Sequence, residues 1–175
     1  MKKKVKYKPI YLVIRYLILL GLMFSLPLIY LIFTPLTIYS SSKLLSPFYK
    51  IIVHENIIVI NSTTFIQIIP ACVAGSAYLL LLILNLSIPM KLKKRFQSIL
   101  LSLILLLAIN ILRIFILSIW YHNNILFFDF THAFFWYVLS TIFVIFIWLY
   151  IIKIFSIKEI PFYTDFKSLI SSIKK

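Results

Sequence analysis

Hydrophobic and polar positions in this chain fall into blocks rather than alternating. Four apolar stretches stand out: Ile10 to Phe33, Ala71 to Ile88, about Phe96 to Trp120, and about His132 to Ile152; their only Lys or Arg residues are Arg15 and Arg113. Crossing a hydrocarbon core of ~30 Å takes ~20 helical residues, so each stretch is predicted as a transmembrane helix. Pro27 predicts a kink in the first, while Pro70 and Pro89 bracket the second. Between the first two stretches, Asn56–Ile60 and Thr63–Ile69 are β-rich runs around Asn61-Ser62. They predict a short hairpin in an outer segment, residues 51–70. Beyond the fourth stretch, residues 153–175 scatter Ile, Phe and Lys and predict an interfacial amphipathic tail.

Composition narrows the solvent. Of 175 residues, 63% are apolar and 13% charged, with a mean hydropathy of +1.07. Those values exclude a water-soluble globule and a disordered chain alike. A net charge of +14 would suggest nucleic acid in a soluble protein. Here the cations flank apolar runs, and no basic groove interleaved with aromatics is present, so nucleic acid is not expected as a partner. The N-terminal tail holds five Lys, the Met90–Arg95 loop four Lys or Arg, and the tail from Lys153 five. Thr34 to Pro70 holds two, and Tyr121 to Thr131 none. The positive-inside rule then predicts that both termini and the middle loop are cytoplasmic. The expected fold is one membrane domain, residues 1–175: an all-α polytopic protein with four spans and a small extracytoplasmic β-hairpin. Lys2 to Lys8 resemble the basic start of a signal peptide, but the apolar run is too long and no small-x-small site follows, so a retained anchor is expected. The Asn61-Ser62-Thr63 sequon is compatible with an outward-facing segment.

Candidate chemistry is sparse. Cys72 is the one cysteine, so an internal disulfide, a CxxC pair and a thiolate metal cluster are excluded. His54, His122 and His132 lack metal-ligand spacing, and neither metal nor cofactor is expected; His54 and His122 read as solvated loop residues. Trp120 with Tyr121, and Trp148 with Tyr150, fit interfacial belts. Cys72 lies two residues past Pro70, in the predicted first turn of the second span, where helix N–H groups favour a thiolate. The alternative is an inert small hydrophobe. All fifteen lysines lie outside the four spans, whereas Arg113 lies inside one, eight residues before Tyr121. That is about 12 Å of helix below the outer end. Arg113 either snorkels outward or points into a polar intramembrane site, and Asn110 shares its helical face. His132 opens the fourth span with Asp129 three residues before it; Asp129 or Thr131 capping that helix is the competing reading. The small run Ala74-Gly75-Ser76-Ala77 would let a neighbouring backbone approach closely. Cys72, His132 and Arg113 thus supply, in one outer leaflet, a nucleophile, an acid/base and a fixed cation, the parts of a thiol acyl-transfer site.

Pro70-Ala71-Cys72-Val73-Ala74-Gly75-Ser76 after a β-rich outer segment resembles the cysteine motif of the exosortase/archaeosortase family. Asn110-Ile111-Leu112-Arg113 resembles its N-x-x-R helix, and Asp129-Phe130-Thr131-His132 its histidine at the next helix start. Order and spacing agree from about Val53 to Ile152, in the manner of the short archaeal members. The resemblance implies a membrane-embedded cysteine transpeptidase acting on surface proteins that carry a C-terminal recognition motif, transmembrane helix and basic tail. It further implies Cys72 as nucleophile, His132 as proton carrier, Arg113 as carbonyl or oxyanion partner, and Asn110 and Asp129 in support. The acyl acceptor would be a lipid-linked or other amine, or water. The competing expectation is a small membrane scaffold or accessory subunit whose polar trio only holds helices together.

Overall fold

In the computed structural model, residues 9–88, 90–125 and 127–157 are described. The predicted N-terminal basic start and most of the predicted C-terminal tail lie outside them. The chain begins with α1 (Pro9–Gly21), a 3₁₀ turn (Leu22–Ser25) and α2 (Leu26–Leu45). The tight turn falls just ahead of Pro27, whose missing N–H is harmless in a first helical turn. Contrary to the predicted end at Phe33, the helix continues through Pro35 for twelve more residues, to Leu45. The hydroxyl residues of this extension face inward: Thr37, Ser41 and Ser42 are buried, and Ser42 Oγ donates to the Ile38 carbonyl at 2.7 Å. Helix backbone satisfies itself, so a proline or a few hydroxyls need not end a membrane helix that neighbours support.

After α2 come three short strands, β1 (Ile51–His54), β2 (Ile57–Ile60) and β3 (Thr64–Gln67), forming an antiparallel sheet in the order β1-β2-β3. The predicted hairpin is therefore its second half, and β1 adds a strand ahead of it. Positive φ at Glu55, Asn61 and Ser62 closes the two turns, a conformation that Asn tolerates better than most residues. In the central strand, Ile58 and Ile60 are fully buried, and with Ile38, Leu45, Ile68, Val73 and Ile114 they form one apolar cluster. That cluster fixes the sheet against α2 and against the later helix that carries Ile114.

The second predicted span is interrupted. A one-turn helix, α3 (Pro70–Val73), stops at Ala74 in the left-handed region (φ 61°, ψ 40°), and α4 (Gly75–Ser87) follows. At 13 residues α4 is about 20 Å long, short of a ~30 Å core. Helix α5 (Leu92–His122) is continuous over 31 residues. Helix α6 (Phe128–Phe134) passes through a π-helical stretch, Phe135–Leu139, into α7 (Ser140–Ile154). Among the described residues, three helices are long and apolar enough to cross a membrane, Tyr16–Leu45, Leu92–His122 and Phe130–Ile154, which suggests a multi-pass membrane protein.

At Gly75 the small run receives a side chain rather than the predicted close backbone. A Cβ on Gly75 would lie 2.5 Å from Tyr30 Cε1, so only glycine admits the Tyr30 ring of α2 there. Lower in the bundle, α4 and α5 are joined by polar groups. Asn85 Nδ2 donates to the Leu81 carbonyl (2.8 Å) and to Ser102 Oγ (3.2 Å), while Ser98 Oγ donates to Asn85 Oδ1. Asn85, Ser98 and Ser102 are all fully buried, where unmet hydrogen bonds would be costly.

Candidate active site around Cys72

The break at Ala74 organises the site. A continuous helix would bring N–H groups four residues on to the carbonyls of Cys72 and Val73. Instead the ladder restarts at Ala74, whose carbonyl receives the N–H groups of Ala77 (3.0 Å) and Tyr78 (3.3 Å). Helix α5 supplies the replacement donors. Asn110 Nδ2 donates to the Cys72 carbonyl at 3.0 Å and to the Val73 carbonyl at 3.4 Å; Arg113 Nη2 donates to the Cys72 carbonyl at 3.0 Å. Asn110 and Arg113, one turn apart on α5, are both buried. This is the polar use of Arg113 that the sequence favours over outward snorkelling. Arg113 Nε is buried without a hydrogen-bond partner among the described residues.

Left-handed backbone is unfavourable for a residue with a Cβ, by ~1–2 kcal/mol, and strained residues of this kind cluster near functional sites. Ala74→Gly is expected to raise the unfolding free energy in detergent by about 1 kcal/mol by relieving that strain. An unchanged or lower value would show that the side chain, not the backbone, sets the geometry at position 74.

Cys72 itself is partly exposed. Its N–H donates to the Ile69 carbonyl at 2.8 Å, which folds the chain under the end of β3. Cys72 lies in the four-residue α3 rather than in the first turn of a full-length span. Its side chain borders a cavity of about 250 Å³. The wall combines Phe65–Ile69 from β3 and its extension, Arg113, Ile114, Leu117, Ser118 and Tyr121 from α5, and Phe128 and His132 from α6. Cys72, Arg113 and His132 are therefore brought to one cavity from three different helices.

His132 is exposed, and its ring stacks on Phe128 with centroids 5.7 Å apart and planes within 6°. A further ring contact joins Phe128 to Tyr121 at 5.1 Å, so α6 leans on the C-terminal end of α5 through aromatics. Neither Asp129 nor Thr131 is the cap: Phe127 holds that position without a side-chain bond, and Thr131 Oγ1 donates back to the Phe127 carbonyl at 3.0 Å. Asp129 is the second residue of α6, one turn before His132.

Two residues outside the predicted set belong to this region. Ser118 is 2% exposed, lines the cavity and has an Oγ without a partner among the described residues. A serine in an apolar span is too common a back-bonding residue for its sequence position to show this. The second is His122, which is held rather than solvated. Thr64 Oγ1 lies 2.8 Å from its Nδ1, Asn61 Nδ2 lies 3.5 Å from its Nε2, and the Tyr49 ring meets it edge-on at 5.0 Å. These contacts tie the sheet to the end of α5. His54 is exposed, as predicted. Comparison with family models, curated proteins and solved structures finds no match for this chain.

Proposed function

We propose that this protein is a membrane-embedded cysteine transpeptidase or peptidase that removes a C-terminal sorting signal from surface proteins. The observation that carries the reading is the convergence of Cys72, Arg113 and His132 on one cavity. In the proposed arrangement the broken unit Pro70–Ser87 makes a fourth crossing, and the basic run Lys91–Arg95 at the start of α5 and both termini are cytoplasmic. The sheet and the cavity then face outward, where the junction between an ectodomain and its membrane anchor would arrive.

The chemistry is that of acyl transfer through a thioester. His132 takes the proton of Cys72, and the sulfur attacks the scissile carbonyl as a new C–S bond forms. The tetrahedral oxyanion meets the buried Arg113 guanidinium, which has N–H donors to spare beyond the Nη2 bond to the Cys72 carbonyl. When the C–N bond breaks, the proton on His132 goes to the departing amine. A lipid-linked amine or water then attacks the thioester, gives up a proton to His132, and releases Cys72 as the thiol. No cofactor enters these steps.

A scaffold reading has one observation in its favour, since Asn110 and Arg113 also hold α3 to α5 through main-chain carbonyls. Co-expression with a protein ending in a recognition segment, an apolar helix and a basic tail separates the two. Intact mass should show the C-terminal helix lost with wild type and retained with Cys72→Ala. Full-length product in both cases counts for the scaffold.

A further inference from the structure

Strand β3 is an edge strand, with only β2 beside it in the sheet. It pairs Ile57 with Gln67, Ile58 with Ile66 and Val59 with Phe65. The Ile68 N–H continues this ladder to the Asn56 carbonyl at 2.8 Å. In an antiparallel pair, residues alternate between turning their N–H and C=O toward the partner and away from it. Since Ile68 bonds inward, Ile66 and Thr64 do too, and Phe65 and Gln67 turn their main-chain donors and acceptors to the open side. Among the described residues, nothing hydrogen-bonds to those outward groups.

That open side is a wall of the cavity. Side chains of a strand point alternately to its two faces, so a cavity against one face would touch every second residue. Here five consecutive residues, Phe65 to Ile69, line it. Such a run is lined along its edge. The edge also lacks the usual defences against strand addition, an internal proline or a lysine. At its lower end the Pro70 turn delivers Cys72. Across the gap stand Ser118 and Arg113 of α5, both buried residues that line the same cavity.

We infer that the slot between β3 and α5 holds an extended polypeptide segment as a fourth strand, through main-chain hydrogen bonds to Phe65 and Gln67. This rests on the processing role proposed above and specifies its substrate contact. The bound segment is a stretch of some four or five residues in β conformation, and its end lies at Cys72. Strand addition takes affinity from the peptide backbone and selects side chains at alternate positions. The walls Phe65, Ile114, Leu117 and Phe128 favour apolar side chains there.

The test uses full-length protein carrying Cys72→Ala in nanodiscs, so that docking is read without turnover. The probe is an acetylated, amidated five-residue peptide of valine and threonine with one benzophenone side chain. Irradiation followed by peptide mapping should place the adduct on Phe65–Ile69 or on the facing turn of α5. Methylating alternate backbone amides of the probe removes donors without removing apolar surface, and should cut labelling about tenfold. Gln67→Pro should do the same, because proline at an outward N–H leaves the β2 ladder intact, whereas Gln67→Ala should label normally. Equal labelling by the methylated probe would mean a greasy slot for acyl chains and would overturn the proposal. So would adducts elsewhere, none at all, or an adduct between the β3 edges of two copies. Specific labelling here, combined with no processing by wild type, would instead remove the transpeptidase reading and leave the peptide slot standing.

Discussion

Cys72→Ala should unfold at nearly the same point as wild type while processing falls by more than about 10³-fold. The two halves of this expectation have different physical origins. Residue 72 is tied to α5 by its carbonyl oxygen, which accepts from Asn110 and Arg113, and to β3 by its N–H, which donates to Ile69. Every one of those bonds is main-chain on the Cys72 side and survives any side-chain change that tolerates helical backbone. The sulfur contributes only partial burial, so a stability change within about 1 kcal/mol is expected. Catalysis, by contrast, needs the sulfur itself, and losing a nucleophile removes the covalent route entirely. Processing would be read by intact mass of the co-expressed target, and stability by SDS titration of the purified variant. A large loss of stability would make Cys72 a packing residue, and retained processing would end its assignment as nucleophile.

Much of the fold is legible in the sequence because a bilayer simplifies the problem. A 31-residue apolar helix such as α5 announces itself by length alone. What escapes is local geometry decided by neighbours. Alanine is the best helix former, so no propensity argument finds a left-handed break at Ala74, with Tyr30 packed against the next residue. Thr37, Ser41 and Ser42 lie past the predicted end at Phe33, yet they are on the buried side of a helix that runs on to Leu45. Strand β1 escaped for another reason. Ile51-Ile52-Val53-His54 is too short to stand out until its partner Ile57–Ile60 is seen opposite it.

The candidate site was more legible than the backbone around it. An arginine in a chain that otherwise keeps its spans free of lysine is costly at depth unless partnered, and Arg113 does have a partner. What the sequence could not show is that the partner is a carbonyl freed by the Ala74 break. The cation that reads as reserved for a substrate therefore has one donor committed to the protein's own chain, and its Nε left over. His122 was missed because its partners, Thr64 and Asn61, sit some sixty residues earlier in the sequence, at the β2–β3 turn.

Removing both donors from α5 should cost more than the sum of removing each. Asn110→Leu leaves the Cys72 carbonyl held by Arg113, and Arg113→Met leaves it held by Asn110, so each single variant is expected to lose about 1–3 kcal/mol. The double variant leaves the Cys72 and Val73 carbonyls both without a side-chain donor, beside an apolar cluster with no i+4 amide to take over. Its expected loss exceeds additivity by about 1 kcal/mol or more, within the range seen for residues that share one partner. SDS titration of the four proteins in a double-mutant cycle gives the coupling directly. Simple additivity would mean that the two donors do not share the Cys72 carbonyl. Arg113→Lys sharpens the distinction between holding and catalysing. A lysine is a point charge that can replace the single bond to the carbonyl but not the planar fork with its further N–H donors. Stability should recover by more than processing does. Equal recovery of both would assign Arg113 to positioning α3 rather than to the reacting carbonyl.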